Sequence, residues 1–420
     1  MTAWKPAPGP GLLAPSYKWY AVFMLWWIAF FNYADRQAIF SVFPLLEREL
    51  HLTPIQLGLL GSSFAWVYGL AAPFAGNIVD RIRRKSAILG GLHAWSLICM
   101  ATAISRNLTT LLAFRAAEGL GETFYFPASM SLLSDYHGPE TRSRALGFHQ
   151  TSVYTGTIAG GFFAGWIGQT YGWRWSFIVF GGLGILLGFA LNRWLIEPVR
   201  SAPPPRMPFA DFALLVWRNP TALLLMAAFL CSNFVATVLL SWMPKFLFDK
   251  FHLSLAAAGL TATIYVQLAS MAGSPLGGWL ADVLRRRTPG GRMMVQAAGV
   301  LCGAPFVALC GLTASTLWLV IALTAWGLFK GLYDANIFAS MFDVIRPEAR
   351  GTAAGFMNMV GWLGGGGTAP VVIGFVSQHR TLGFAIACTA AVYVVAGALL
   401  IAAIVSMATS RCSDTSAPSH

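Results

Sequence analysis

The sequence predicts an all-α membrane protein with twelve transmembrane helices in two homologous six-helix halves. Hydrophobic residues make up 56% of the 420 residues and charged residues only 10%, a balance far from that of soluble proteins. Apolar runs of about 20 residues, long enough to cross a bilayer as a helix, recur along the chain. Two charged sequence blocks also occur twice, at offsets of 202 and 208 residues. These observations exclude a soluble protein and indicate a duplicated membrane fold.

The lysine and arginine residues between the apolar runs predict the topology. With both termini inside, 19 of these 28 residues lie at the cytoplasmic face, 6 outside and 3 within the membrane. This bias follows the positive-inside rule, so the net charge of +12 reflects topology and not nucleic-acid binding. We expect a multi-pass protein of the plasma membrane, in particular the bacterial inner membrane. The predicted spans are 18–46, 55–79, 87–105, 109–134, 143–168, 174–196, 220–247, 257–281, 292–311, 315–343, 352–377 and 382–407.

The repeated blocks predict the division of the chain. Residues 73–85 and 275–287, after the second and eighth spans, both read P-x-x-G-x-x-x-D-x-x-R-R-[KR] at the 202-residue offset. The second block follows Asp135 and recurs after Asp343 at the 208-residue offset. Matched blocks in matching positions indicate two homologous halves. We therefore expect a six-helix bundle at 1–196, a cytoplasmic linker at 197–219, and a second bundle at 220–420 with a short cytoplasmic tail. A short helix is predicted at 209–217 in the linker.

Five ionisable residues fall inside spans of the first half. Asp35 and Arg36 lie in span one, and Arg115, Glu118 and Glu122 lie in span four. The last three fall within about 60° of one another on one helix face. A charge near the bilayer centre costs roughly 2.5–3.5 kcal/mol, so these groups must face a bundle interior or a wet cavity. They are either a structural ion pair or a substrate and proton site, and a second charged helix favours the site.

That second helix is span ten, which carries Lys330 and Asp334. Lys330 corresponds to Glu122 at the 208-residue offset, and it shares a helix face with Asp334, Trp326 and Tyr333. Lys330 and Asp334 could simply neutralise each other. However, a lone structural pair gains little where apolar residues would cost less. We therefore predict that Lys330 contacts the substrate and that Asp334 holds Lys330 in position.

The two halves and their loops resemble the major facilitator superfamily. The carrying feature is the G-x-x-x-D-R-type loop at 76–81 after span two, with a related loop at 278–287 after span eight. The usual loop has a glycine where this chain has Arg83. The resemblance implies the fold of that superfamily, transport by alternating access, and a gating role for the loop residues. These predicted gating residues are Asp80, Arg81, Arg84, Asp282, Arg285 and Arg286.

Within the superfamily, two charged segments resemble the anion:cation symporter family, which includes sugar-acid and other organic-anion proton symporters. The segments are Asn-Tyr-x-Asp-Arg at 32–36 and Arg-x6-Glu at 115–122. Further matches are Trp-x-Pro-x-Phe-Leu at 242–247 and Gly-x-x-Asn at 355–358. The charged segments are also similar to spinster-type transporters, which carry lipid-like substrates. The match at 242–247 favours the anion carriers and leaves a lysolipid transporter as the alternative.

The chemistry of these residues gives the predicted site. A guanidinium offers two aligned donors to a carboxylate, which suits arginine to holding an organic anion. The seven embedded ionisable residues sum to −1, so an anion entering alone would give −2 in a low-dielectric cavity. Protonation of one acid restores the balance and predicts proton-coupled symport. The predicted substrate-binding residues are Tyr33, Arg36, Arg115, Lys330, Tyr333 and Asn358, and the predicted proton-coupling residues are Asp35, Glu118 and Glu122.

Other functional classes lack their motifs. The sequence has no G-x-x-x-x-G-K-[ST] loop, no nucleophile–base set and no metal-ligand spacing, so we expect neither an ATP-driven pump nor an enzyme, and neither cofactor nor metal. A receptor would not explain the buried charges. The glycines Gly147, Gly156 and Gly160 resemble the start of a drug:proton antiporter motif, whose next proline is Gly161 here, and we interpret them as packing residues. We expect a monomer whose partners are a small organic anion, protons and the bilayer.

Overall fold

Helices account for nearly all of the described structure. The computed structural model describes residues 16–198, 209–346 and 349–415, and within these ranges it contains no strand. The predicted all-α fold class is therefore confirmed. The helices are α1 (Tyr17–Ser41), α2 (Phe43–Leu50), α3 (Pro54–Arg81), α4 (Arg84–Thr102), α5 (Leu108–Glu122), α6 (Tyr125–Tyr136), α7 (Pro139–Tyr171), α8 (Trp173–Trp194), α9 (Phe209–Trp217), α10 (Pro220–Phe251), α11 (Leu255–Arg285), α12 (Gly291–Leu312), α13 (Thr316–Asp334), α14 (Ile337–Val344), α15 (Arg350–Val360), a π-helical segment (Gly361–Gly366), α16 (Gly367–His379) and α17 (Leu382–Thr415).

The twelve predicted spans correspond to these helices, with four spans divided in two or three. The divided spans are α1–α2, α5–α6, α13–α14, and α15 with the π-helical segment and α16. Among the described residues, eight helices are long and apolar enough to cross a membrane by length and composition. The predicted spans outside those eight are α1, α4, α5–α6 and α7, all in the first half, where α1 and α5 carry buried charge. The short linker helix lies at Phe209–Trp217, as predicted.

Side-chain amides satisfy carbonyl groups where two spans depart from regular α geometry. Between α13 and α14, Asn336 Nδ2 donates to the carbonyls of Leu332 at 3.2 Å and Gly277 at 3.1 Å. In span eleven the chain stays helical but has π geometry over Gly361–Gly366. Asn233 Nδ2 on α10 donates to the Gly361 carbonyl at 2.6 Å. Such partners are required because a buried carbonyl without one is costly.

One compact unit comprises Met1–Leu52, Ser63–Pro204 and Ser254–Leu260, and we call it unit 1. Within it, α1 packs along α7, and α4 packs along α5 and α8. Its buried core includes Leu25 and Ile28 of α1, Trp95 of α4 and Leu132 of α6. These contacts fix α1 and α5, which carry the buried charges of span one and span four.

A second compact unit, unit 2, comprises Thr53–Ser62, Pro205–Leu253 and Thr261–His420. Within it, α12 packs against α13 and α17, and α10 packs against α17 and the π-helical segment. Trp242 and Trp326 are fully buried, and the Trp242 indole N–H donates to the Pro370 carbonyl at 3.1 Å. These contacts fix α13, which carries the charged residues of span ten.

The close approach of α1 and α7 in unit 1 depends on glycine. A methyl group added at Gly156 or Gly160 would overlap the backbone of Phe30 or Ala34, respectively. At Gly147, nearer the start of α7, no described atom lies within 4 Å of the corresponding position. Gly156 and Gly160 thus serve helix packing, whereas Gly147 has no packing constraint within the described parts of the chain.

We expect the same substitution to have opposite effects at two positions of α7. Gly160→Ala should destabilise the protein by about 1–3 kcal/mol, because the methyl group forces α1 and α7 apart. Gly147→Ala should be neutral or stabilising by up to about 1 kcal/mol, because it removes the helix-propensity cost of glycine without a clash. Thermal unfolding of the purified protein in detergent measures both. Equal shifts of the two variants would contradict the packing role of Gly160.

Candidate functional site

Two helices of unit 1 bring the five predicted charges of the first half together. Arg36 Nε on α1 donates to Glu122 Oε2 on α5 at 2.5 Å, which joins the helices. Within α5, Arg115 Nη1 donates to Glu118 Oε2, also at 2.5 Å. Arg36 is 9% exposed, and Asp35, Arg115, Glu118 and Glu122 are at most 1% exposed. The cluster therefore holds three acids and two bases in a medium where each charge needs a partner.

Asp35 differs from the other acids in this cluster. It is fully buried, and among the residues that the structure describes neither of its carboxylate oxygens has a hydrogen-bond partner. Adjacent residues on a helix point about 100° apart, so Arg36 reaches Glu122 without bringing Asp35 to the same partner. A buried carboxylate without hydrogen bonds is costly when charged. Asp35 is thus the acid whose protonation would relieve the largest penalty.

Three aromatic rings lie against the Arg36 guanidinium, and one of them also lies against that of Arg115. The Arg36 guanidinium carbon lies 4.9 Å from the centroid of the Tyr33 ring, 4.9 Å from that of Phe64 and 4.7 Å from that of Tyr68. The Arg115 guanidinium carbon lies 4.8 Å from the same Phe64 centroid. Tyr33 is one of the predicted substrate-binding residues, whereas Phe64 and Tyr68 on α3 were not predicted. The sequence showed only that Phe64 and Tyr68 are four residues apart in span two and so share a helix face. Such spacing of aromatic residues is common in membrane helices and does not by itself indicate a site.

The predicted site residues of span ten and span eleven lie in unit 2. Lys330 forms an ion pair with Asp334 one turn later on α13, and both side chains are partly buried. Tyr333 is 3% exposed. Asn358 lies on α15, about one turn before the π-helical segment, and is half-buried. The predicted site charges of unit 2 thus form one neutral pair, whereas the predicted site charges of unit 1 include an excess acid.

At the start of α4 in unit 1, the predicted gating residue Arg84 is buried. Its guanidinium pairs with Asp135, donates to Ser131 Oγ at 3.2 Å and, through Nε, to Glu197 Oε1 at 3.3 Å. Glu197 also accepts from the backbone N–H groups of Arg84 at 2.9 Å and Lys85 at 3.3 Å. Burial lowers the pKa of Lys85, and the Glu197 carboxylate partly opposes that shift. Glu197 therefore caps α4 as well as pairing with Arg84.

Unit 2 has a similar ion-pair network. Arg292 Nη1 lies 3.1 Å from Asp343 Oδ1 and Nη2 lies 3.4 Å from Asp282 Oδ1. Arg285 Nη2 lies 2.8 Å from Asp343 Oδ1. Arg292 is the residue 208 positions after Arg84, and Asp343 is 208 positions after Asp135. The structural counterpart of Arg84 is therefore Arg292, which sequence analysis did not select.

The remaining predicted gating residues are Asp80, Arg81 and Arg286. Arg81 is exposed at the end of α3, and Arg286 is exposed just after the end of α11. The side chain of Asp80 lies outside the described residues. Among the residues that the structure describes, no group of three or more histidine, cysteine, aspartate or glutamate side chains is arranged to hold a metal ion.

Comparisons with known proteins identify the family. Residues 25–370 match the profile of the Major Facilitator Superfamily, and a second, overlapping match covers residues 247–412. The chain is 25% identical to the probable galactarate/D-glucarate transporter of Bacillus subtilis, over 86% of each chain. It is 26% identical to the D-galactonate transporter of Escherichia coli, over 88% of this chain and 90% of the other.

A solved structure agrees with this match. The crystal structure of a bacterial homologue of the human lysosomal transporter Spinster aligns with a TM-score of 0.77 and 21% identity, over 94% of this chain and 96% of the other. At that identity the likeness shows the fold alone. Because the superfamily profile matches most of the chain and the fold agrees, the protein belongs to the Major Facilitator Superfamily of membrane transporters.

Proposed function

We propose that this transporter is a proton-coupled symporter of a small organic anion of the sugar-acid class. The observation that carries the proposal is the buried cluster of unit 1, in which two arginines are paired with two acids and a third acid, Asp35, has no described hydrogen bond. The names of the bacterial relatives, which refer to galactarate, glucarate and galactonate, support the substrate class.

Charge balance supports the coupling to protons. The five residues of unit 1 sum to −1, and the Lys330–Asp334 pair of unit 2 sums to zero. An anion that binds without a proton would therefore add a second uncompensated negative charge to a low-dielectric interior. Uptake of one proton by Asp35 or Glu122 keeps the loaded site at the charge of the empty one. Glu118 is the third candidate for the coupling proton. Its partner, Arg115, lies three residues earlier on the same helix.

The Arg36–Glu122 pair gives the coupling a structural basis. Glu122 occupies the Nε donor of Arg36, so Glu122 and a substrate carboxylate compete for one guanidinium. Protonation of Glu122 removes its charge and weakens that pair, which frees Arg36 for the anion. Arg115 offers the second guanidinium, and Tyr33 offers a polar contact for the rest of the substrate. Alternating access between the halves at 1–196 and 220–420 would then move anion and proton together, through a monomer with both termini cytoplasmic.

The primary test is uptake into proteoliposomes with and without an inward proton gradient. A thermal-shift panel of glucarate, galactarate, galactonate, simple dicarboxylates and lysolipids would first select the substrate, since a ligand that binds the native state raises its stability. We expect a sugar acid to stabilise the protein and its uptake to follow the gradient. Uptake that ignores the gradient would contradict proton coupling, and stabilisation by lysolipids alone would replace the sugar acid with an amphiphilic substrate.

Substitutions of the two buried pairs should separate binding from coupling. Arg115→Ala should abolish binding and uptake, because it removes a guanidinium and leaves Glu118 buried without its partner. Glu122→Gln should retain binding and counterflow exchange but lose accumulation against a substrate gradient. Proteoliposome uptake and counterflow measure the two properties. Normal accumulation by Glu122→Gln would move the proton role to Asp35, which Asp35→Asn then tests in the same assay.

The double replacement Lys330→Met with Asp334→Leu tests the second unit. If Lys330 contacts the anionic or hydroxyl end of the substrate, the variant should fold normally but bind the substrate at least tenfold more weakly, the loss of roughly one charged hydrogen bond. A merely structural pair should survive this swap with unchanged affinity, because apolar residues replace both charges together. Binding is measured by calorimetry and folding by thermal unfolding. Unchanged affinity would remove Lys330 from the site.

A further inference from the structure

We propose that Phe64 is a positioning residue that fixes the separation of Arg36 and Arg115 through the face of its ring. The inference rests on the proposed function, in which these two arginines hold the substrate anion. Phe64 lies on α3, while the arginines come from α1 and α5. Their guanidinium carbons stand over this one ring, 4.9 and 4.8 Å from its centroid. Both distances are within the range of a favourable cation–π contact.

The ring of Phe64 is itself held firmly. The residue is 3% exposed, and its ring stacks on that of Tyr68 with centroids 5.9 Å apart and planes 14° apart. The backbone of α3 meets α5 at this point, since a Cβ atom at Gly119 would lie only 2.5 Å from the Phe64 carbonyl oxygen. Phe64 therefore gives the two arginine side chains one shared, rigid surface to pack on.

An aromatic ring does here what an additional acid could not. A third carboxylate partner would also hold the guanidinium groups, but it would add negative charge to a cluster that already has an excess acid, and it would repel an entering anion. It would also occupy N–H donors, whereas a ring beneath the guanidinium face leaves those donors for carboxylate oxygens. Leucine would fill the space without attracting either cation. Phe64 thus positions two cations while preserving their positive charge.

The proposal is tested by replacing Phe64 with mono-, di- and trifluorophenylalanine. Fluorine withdraws electron density from the ring face while nearly preserving the ring shape, so it weakens the attraction for cations in steps. We expect the KM for the sugar acid selected by the thermal-shift panel to rise stepwise, to about tenfold for the trifluoro residue, with little change in maximal uptake rate. Phe64→Leu should raise KM at least as much.

Phe177 provides the matched control. It is fully buried in unit 1, and its ring contacts Trp173 edge-on at 6.0 Å, with no arginine over it in the described structure. The same fluorinated series at Phe177 should leave KM unchanged. A Phe64 series with constant KM, or one that lowers only the melting temperature, would overturn the proposal, because it would show that Phe64 serves packing alone.

A second readout does not depend on the substrate. Labelling of arginine with phenylglyoxal, followed by peptide mass spectrometry, reports how firmly each guanidinium is held. We expect the labelling rates of Arg36 and Arg115 to rise together across the Phe64 series and to stay constant across the Phe177 series. If wild-type protein binds no sugar acid, the proposed function fails, while rising labelling rates still support the positioning role. Constant labelling rates across the Phe64 series overturn that role whatever the substrate.

Discussion

The cost of burying charge in an apolar interior governs the arrangement of unit 1. Arg36 on α1 and Glu122 on α5 can be buried only because each offsets the other, and their 2.5 Å contact joins two helices that are distant in sequence. The same cost makes Asp35 exceptional, since its buried carboxylate has no hydrogen-bond partner among the described residues, and packing must offset the lost solvation. Apolar residues at these positions would often stabilise a fold as well or better, so stability alone does not account for these charges.

Helix packing supplies the rigidity that this arrangement needs. Gly156 and Gly160 let α7 lie against the backbone of α1, close to the turns that carry Asp35 and Arg36. Gly119 does the same for α5 against α3, beside Glu118 and Glu122. Membrane helices gain little from apolar side chains facing one another, because lipid is equally apolar, so close backbone contact provides much of the attraction. The charged turns are therefore held where the backbones approach most closely.

Local patterns predicted the fold, whereas tertiary pairing remained hidden. Apolar run length and helical spacing depend on neighbouring residues alone, which is why the spans and the shared face of Arg115, Glu118 and Glu122 could be predicted. The partner of Arg36 could not, because it depends on the register of α1 against α5. Phe64 was missed because its role arises only where α1, α3 and α5 meet. The repeat could have revealed Arg292, since it lies 208 residues after Arg84.

The two halves of the repeat have kept one ion-pair network and changed the other charges. Arg84 with Asp135 and Arg292 with Asp343 occupy matching positions in the two units, as expected for two homologous halves. In the spans themselves, the acid Glu122 corresponds in sequence to the base Lys330. The Arg36, Arg115, Asp35, Glu118 and Glu122 cluster of unit 1 thus has an excess acid, while Lys330 and Asp334 of unit 2 form a neutral pair. The proposed uptake of a proton together with an anion depends on this excess acid of unit 1.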